Sequence, residues 1–288
     1  MLIEKSFDTG ELTLNYAEGP PAGPPLVLLH GLTARWQAWQ AMLPLLTPHW
    51  QVYALDARGH GASGRVAHQY HLADYARDVA AFLQHLPEPA VVMGHSLGAA
   101  TALAAAAACP TRTRAAVLLD PPLFNRDTSI AAMPEVKNWF NWVYQTVTAS
   151  SSYEDIVARC RESDSEATAE QITVFADTVS GVASDTVYTA LQDQLFAGFD
   201  LAGALRQIQC PLLLLYGDWA HGAAVRDEDA AFVRDNLPSA VIVKIPDGSH
   251  MFFQEQQEQV VEQVGTFVAS LRPPGSRRAA ASPTGQTP

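Results

Sequence analysis

Short apolar runs that alternate with segments of helical length constrain the fold of this chain more than any other feature. Five runs are apolar over most of their length and end in turn residues: PLVLLHG, QVYALDARG, AVVMGHS, AAVLLDPP and PLLLLYGD. Continuous apolar runs are typical of strands covered on both faces. Two intervening segments, LADYARDVAAFLQHL and SLGAATALAAAAACP, repeat apolar residues at helical spacing. The sequence therefore predicts an α/β fold with a doubly wound, mostly parallel sheet.

The remaining segments predict how the chain is divided. The run ELTLNYAE alternates like an antiparallel edge strand, and AVIVKIPDG reads as the last strand. Residues 123–207 contain only helical periodicity, so we expect a helical lid inserted between two strands of a core formed by residues 1–122 and 208–271. Residues 272–288 are rich in proline, glycine, serine and alanine, which predicts a disordered tail.

Composition excludes several classes of protein. The chain has 288 residues, of which 48% are hydrophobic and 17% charged, as in soluble globular proteins. No apolar stretch approaches the roughly 18 residues of a membrane span, and no signal peptide is apparent, so we expect a cytoplasmic protein without a membrane partner. The net charge of −12 disfavours nucleic acids as partners. The three cysteines, Cys109, Cys160 and Cys210, lack the spacing of a disulfide framework or a zinc site.

A serine lies between two glycines where a predicted strand gives way to a predicted helix. The segment Gly94-His95-Ser96-Leu97-Gly98 matches the G-x-S-x-G pattern of a nucleophile elbow. A sharp turn that lifts the serine above the sheet leaves little room for side chains at the flanking positions, and glycine satisfies that requirement. Ser96 is either a nucleophile or the N-cap of the helix. The strand-turn-helix context favours the nucleophile.

A nucleophilic serine needs a base, because a free hydroxyl is a weak nucleophile near neutral pH. His250 follows the last predicted strand in the glycine-containing loop of VIVKIPDGSHMFF and precedes a predicted helix. The other histidines lie in polar or loop contexts or, like His95, beside the serine, where the ring would flank the hydroxyl. We therefore expect His250 to be the base toward Ser96.

Four segments occur in an order that resembles the α/β-hydrolase superfamily. They are HGL at 30–32, DARGHGASG at 56–64, GHSLG at 94–98 and GSH at 248–250. The resemblance covers nearly the whole chain before the predicted tail, and together the segments are more specific than the elbow alone. We interpret DARGHGASG as structural, since the superfamily keeps a similar loop for turn geometry and charge pairing.

The resemblance also implies an oxyanion hole formed by the backbone N–H groups of Leu32 and Leu97. Such donors stabilise negative charge that develops only in the transition state. Because the donors are backbone groups, the side chains at these two positions are free to be apolar.

The acid that would orient the base departs from the family pattern. Members of the superfamily commonly carry it after the next-to-last strand, and the matching position in YGDWAHG is Ala220. Asp218 is two residues early. Asp120, which ends the buried run AAVLLD, is the preferred candidate, because a carboxylate there needs a partner and a histidine would satisfy it. Two alternatives stay open: Asp218 as the acid, or neither residue.

The predicted lid is rich in large aromatic side chains. Most should be core at helical spacing, but the cluster around Trp139 and Trp142 places aromatic rings on more than one helix face. We expect Phe124, Trp139 and Trp142 to line an apolar substrate pocket over Ser96, with Trp36 as the opposite wall.

These features predict a serine hydrolase that cleaves a small-molecule carboxylic ester or lactone through an acyl-serine and requires no metal or organic cofactor. An acyltransferase, a C–C hydrolase or a cofactor-free peroxidase-like enzyme could use the same residues, since fold does not determine function. A non-enzymatic small-molecule receptor is a further alternative, supported by the alanine at position 220.

Overall fold

One mostly parallel sheet organises residues 2–271, the part of the chain that the computed structural model describes. The predicted tail, residues 272–288, lies outside the described residues. The eight strands have the order β1-β2-β4-β3-β5-β6-β7-β8, and all neighbours from β4 to β8 are parallel. The strands are β1 (Ile3–Asp8), β2 (Thr13–Glu18), β3 (Pro25–Leu29), β4 (Gln51–Leu55), β5 (Ala90–His95), β6 (Thr113–Leu119), β7 (Leu212–Tyr216) and β8 (Val241–Lys244). The predicted doubly wound α/β fold is confirmed.

The antiparallel side of the sheet differs from the expectation in one strand. The run ELTLNYAE forms β2, which pairs antiparallel with β4, but its other side pairs with β1. The prediction that this run is the edge strand is therefore wrong. The edge strand β1 has almost only exposed residues, so its sequence IEKSFD carries no apolar pattern that would reveal a strand.

Helices cover both faces of the sheet because successive strand residues point to opposite sides. Val27 and Leu29 of β3 join one apolar core, and Leu26 and Leu28 join the other. The helices outside the segment between β6 and β7 are α1 (Leu43–Leu46), α2 (Leu72–His85), α3 (Leu97–Ala108), α9 (Asp227–Asn236), α10 (Phe252–Glu255) and α11 (Gln257–Ser270). Within residues 2–271, no helix combines the length and the apolar character that crossing a membrane requires.

All regular secondary structure in the segment between β6 and β7 is helical. Its α-helices are α4 (Pro134–Ala149), α5 (Tyr153–Ser163), α6 (Ala169–Ser180), α7 (Ser184–Leu191) and α8 (Leu201–Gln207). Capping boxes start α5 at Ser152 and α6 at Thr168. Helices α4 to α7 share a small apolar core of their own. Helix α8 instead packs against α3 and α9, so the separately packed unit ends before it.

The DARGHGASG loop, residues 56–64, joins the sheet to α2 through a buried ion pair. The Arg58 side chain is fully buried, and its guanidinium donates to both carboxylate oxygens of Asp78 at 2.7 and 2.8 Å. It also donates to Glu11 at 2.8 Å. Burial lowers the pKa of His60, in the same loop, to about 3, which keeps that imidazole neutral. These contacts agree with the structural interpretation of the loop.

Replacing Arg58 with alanine should lower the free energy of unfolding by about 3–5 kcal/mol, because removing one partner leaves a buried charge uncompensated. Urea denaturation measures the change. Arg77→Ala is the matched control: this arginine also binds Glu11, but 55% of its side chain is exposed, and loss of an exposed pair should cost about 0–1 kcal/mol. Equal losses in the two variants would contradict a structural role for the buried pair.

Candidate active site

Ser96 occupies a strained turn between β5 and α3. Its backbone has φ 53° and ψ −118°, in a region that non-glycine residues rarely adopt. The turn is tied to the sheet by the Ser96 N–H, which donates to the carbonyl of Leu119 at 3.0 Å. The Ser96 side chain makes no capping hydrogen bond to α3. Ser96 therefore occupies the N-cap position of α3, but its hydroxyl does not cap the helix.

The two glycines of the elbow are required by close backbone approach. A Cβ on Gly94 would collide with the carbonyl of Gly98, and a Cβ on Gly98 would collide with the carbonyl of Leu29 in β3. The glycines therefore let α3 start directly against the ends of β3 and β5, which leaves Ser96 at the carboxyl edge of the sheet. Ligands of open α/β sheets bind at this edge.

His250 and Asp120, which lie 130 positions apart, meet at that edge. Nδ1 of His250 is 2.6 Å from Oδ2 of Asp120. Because a carboxylate only accepts, Nδ1 carries the proton and donates it, which leaves Nε2 of His250 as an acceptor. Asp120 is fully buried, whereas 32% of the His250 side chain is exposed. The pair is therefore accessible from the histidine side only.

The Asp120 carboxylate accepts a second hydrogen bond, from the loop after β7, where the sequence pattern predicts no site residue at this position. The backbone N–H of Ala224 donates to Oδ2 at 2.6 Å. Asp120 itself has φ 47°, which aspartate tolerates better than most residues. Its Oδ1 is buried and has no hydrogen-bond partner within residues 2–271. Burial of this charge thus depends on the imidazole and one backbone amide.

Asp218, the alternative acid, lies at the surface. Its carboxylate accepts from the N–H of Ala220 at 3.2 Å and lies 3.8 Å from Nζ of Lys244. About a third of the side chain is exposed. Its backbone N–H donates to the carbonyl of Gly248 at 2.7 Å, so Asp218 supports the loop that carries His250 without a side-chain hydrogen bond to the imidazole.

The hydroxyl of Ser96 makes no hydrogen bond to any residue in the described range, His250 included. The two residues are nevertheless tied together through His95, whose Nε2 is 2.8 Å from the carbonyl oxygen of His250. Hydrogen bonds between a nucleophile and its base often tighten only when substrate binds.

The backbone N–H groups of Leu32 and Leu97 are both available as donors. Leu97 is the first residue of α3, where helix N–H groups lack intrahelical acceptors. Neither N–H donates to a residue in the part of the chain that the structure describes. The loop that follows β3, residues 30–33 (the β3 loop), lies close to the elbow: a Cβ on Gly31 would lie 3.2 Å from Cβ of Ser96. The two predicted oxyanion donors therefore come from adjoining segments.

Phe124 is buried in an apolar cluster that also contains Leu32, Leu97, Phe140 and Ala224. This cluster joins the candidate oxyanion residues to the helical segment between β6 and β7. Through Leu97 it places apolar side chains next to the elbow, and apolar side chains are the lining expected of a small-molecule pocket.

Trp139 and Trp142 form a separate stack with Phe175, with ring centroids 5.3 to 5.7 Å apart. Trp142 packs with the internal core of the helical segment. Trp139 is 40% exposed, and its indole N–H donates to Oγ1 of Thr33 at 3.3 Å, next to Leu32. The stack therefore touches the β3 loop at one point, through Trp139.

Trp36 is not part of the apolar cluster around Leu97. Its indole N–H donates to Glu4 at 2.9 Å, and its backbone N–H donates to Asp56 at 2.7 Å. The ring packs against the core on the opposite face of the sheet. The sequence did not reveal this placement, because a tryptophan after a strand carries no signal for which face it covers.

The comparisons with known proteins agree with this fold. A family model described as "Alpha/beta hydrolase family" matches residues 26–263. The chain belongs to the α/β-hydrolase family. The crystal structure of E-2-(acetamidomethylene)succinate hydrolase superposes on this α/β hydrolase with a TM-score of 0.73 at 24% identity, covering 94% of this chain and all of the other.

Three relatives of this α/β hydrolase match over most of their length. The 2-(acetamidomethylene)succinate hydrolase of Mesorhizobium japonicum is 25% identical over 92% of this chain and 95% of its own. The magnesium-chelatase 30 kDa subunit of Rhodobacter capsulatus is 30% identical, with 82% and 84% covered. The pimeloyl-[acyl-carrier protein] methyl ester esterase of Chromobacterium violaceum is 28% identical, with 83% and 92% covered.

Proposed function

We propose that this α/β hydrolase cleaves a carboxylic ester or lactone with an apolar or aromatic portion through an acyl-serine on Ser96. The observation that carries the proposal is the 2.6 Å contact between His250 and the buried Asp120, because it holds the imidazole in the tautomer that can take a proton at Nε2. The esterase among the relatives supports the bond type, and the apolar cluster around the elbow supports the apolar portion.

In the proposed reaction, Nε2 of His250 removes the hydroxyl proton as Oγ of Ser96 attacks the ester carbonyl. The N–H groups of Leu32 and Leu97 stabilise the oxyanion that forms. The imidazolium then gives its proton to the leaving alcohol, and the C–O bond breaks to leave an acyl-serine. Water repeats the sequence and releases the acid. Asp120 stabilises the imidazolium without taking its proton.

The helical segment between β6 and β7 would act as a lid in this reaction. Phe124 and Phe140 of that segment pack with Leu97, and Trp139 contacts the β3 loop at Thr33. These contacts place apolar side chains of the segment beside the proposed oxyanion donors. We propose that they line the acyl or aryl side of the pocket, with Phe124 as the innermost ring and Trp139 nearer the solvent.

A second candidate is hydrolysis of an N-acyl bond. The observation that favours it is the name of a relative, 2-(acetamidomethylene)succinate hydrolase, whose substrate carries an acetamido group. The same residues could perform either reaction, since only the leaving atom changes from oxygen to nitrogen. Esters and amides that share one acyl group, compared by kcat/KM, distinguish the two candidates.

Replacing Ser96 with alanine should reduce kcat for short p-nitrophenyl esters by roughly 10⁶-fold, because loss of a serine nucleophile removes the covalent route. Covalent labelling by a fluorophosphonate probe should disappear as well. Ser180→Ala is the control, since this hydroxyl donates to the carbonyl of Asp177 on α6, away from the elbow. Unchanged turnover and labelling in the Ser96 variant would refute the proposal.

A wild-type protein that neither turns over esters or amides nor reacts with the probe would favour the receptor. Probe labelling combined with a preference for alcohol or peroxide acceptors over water would favour acyl transfer or a peroxidase-like reaction. Release of a C–C cleavage product would favour the C–C hydrolase.

Asp120→Asn should lower kcat by about 10⁴-fold, as the corresponding change does in serine proteases. Asparagine is neutral and no longer stabilises the imidazolium that forms on His250. Nδ1 of His250 and the N–H of Ala224 both bind Oδ2, so the asparagine oxygen in that position can still accept from both, which preserves the loop. Asp218→Asn should keep kcat close to the wild-type value, because its carboxylate caps a surface turn. The reverse order of effects would assign the acid to Asp218, and equal mild losses would exclude both.

A further inference from the structure

We propose that His95, the residue before Ser96, is a positioning residue that fixes the main chain of His250 and so holds the base in register with the nucleophile. This role rests on the function proposed for Ser96 and His250. From the sequence alone, His95 is expected only to flank the serine, and the proposed reaction does not use its side chain.

The contact that supports this role is a single hydrogen bond between the two segments. Nε2 of His95 is 2.8 Å from the carbonyl oxygen of His250. Because a carbonyl only accepts, Nε2 carries the proton and donates it. Within residues 2–271, no backbone N–H outside regular helices donates to that carbonyl and no other side chain does. The His95 N–H therefore determines where the His250 main chain lies relative to Ser96.

The surroundings keep the His95 ring closely packed and neutral. The ring stacks on Phe253 at 4.3 Å and lies 4.5 Å from the ring of His250. Burial, and next the nearness of His250, lower the pKa of His95 well below its ordinary value. His95 thus donates a hydrogen bond without placing a second positive charge beside the imidazolium that forms on His250 during the reaction.

The other edge of the ring lies close to Gly31, in the loop that follows β3. A Cβ on Gly31 would lie 3.1 Å from Nδ1 of His95 and 3.2 Å from Cβ of Ser96. The buried imidazole of the elbow therefore lies between the loop that leads to Leu32 and the loop that carries His250. A shift of this ring would change the spacing of all three.

The loop that carries His250 is also held by hydrogen bonds of the residues next to His250. The carbonyl of Gly248 accepts from the N–H of Asp218 at 2.7 Å, and the hydroxyl of Ser249 donates to Glu255 at 2.8 Å. His250 itself is held through its imidazole by Asp120 and through its carbonyl by His95. Loss of the hydrogen bond from His95 would let the imidazole pivot about its contact with Asp120. A misplacement of about 1 Å in an active site can cost roughly 10²-fold in rate.

The matched variants His95→Gln and His95→Asn separate this role from packing. Both remove the ring and its stack on Phe253. The amide nitrogen of glutamine is as many bonds from Cα as Nε2 of histidine, whereas that of asparagine is one bond closer. His95→Gln should therefore retain most of the wild-type kcat, while His95→Asn should lose about 10- to 100-fold in kcat with little change in KM. Thermal unfolding should give similar Tm values for the two variants.

Two further readouts keep this role distinguishable from the proposed function. The rate of fluorophosphonate labelling at Ser96 should follow the same order as kcat. Crystal structures of the two variants should show the His250 carbonyl bound by the glutamine amide and displaced in the asparagine variant. Equal labelling rates with an unmoved His250 main chain would overturn the positioning role. A wild-type protein that is not labelled at Ser96 would instead overturn the proposed function, and the crystal structures would still test His95.

Discussion

Burial of the Asp120 carboxylate is the constraint on which the candidate site depends. The side chain is fully buried at the end of β6, and an isolated charge in that position is costly unless it is paired and hydrogen-bonded. Its two donors, the imidazole of His250 and the N–H of Ala224, come from the loops that follow β8 and β7. Three separate segments must therefore converge for the fold to accommodate one carboxylate.

The parallel sheet makes that convergence possible. Because β3, β5, β6, β7 and β8 all run in the same direction, their carboxyl ends meet at one edge, and each is followed by one component of the candidate site. Two neighbouring strand ends, at Ser96 and Asp120, carry positive φ angles of 53° and 47°. Such backbone strain costs about 1–3 kcal/mol per residue and persists only where the surrounding structure imposes it. The apolar cores on both faces of the sheet supply that support.

The parts of the molecule that could be predicted are those with a repeating local signal. The inner strands are continuous apolar runs. The elbow has glycines because its backbone approaches β3 and α3 too closely for a side chain. Strand β1 could not be predicted, because an exposed edge strand buries too little to show a pattern. The helical segment between β6 and β7 was recognisable from its periodicity. Its last helix, α8, packs against α3 and α9 beside the sheet, and nothing in the sequence of α8 distinguishes it from the other helices of the segment.

The acid was ambiguous from sequence for a physical reason. Asp120 and Asp218 both follow apolar strands that end at the same edge, so strand position does not separate them. The difference lies in side-chain direction and in a donor without sequence signature, the backbone N–H of Ala224. His95 was likewise hidden, since its partner is a backbone carbonyl 155 positions away.

The most direct measurement of the central claim is the proton that Nδ1 of His250 shares with Asp120, observed by ¹H NMR on protein with ¹⁵N-labelled histidine. A short hydrogen bond to a buried carboxylate should move this N–H resonance strongly downfield, and its ¹⁵N coupling should assign it to Nδ1. The account predicts that the signal is present in the wild type and in the Asp218→Asn protein and is lost when position 120 carries asparagine. A downfield signal that survives the change at position 120 and vanishes with the change at position 218 would contradict it.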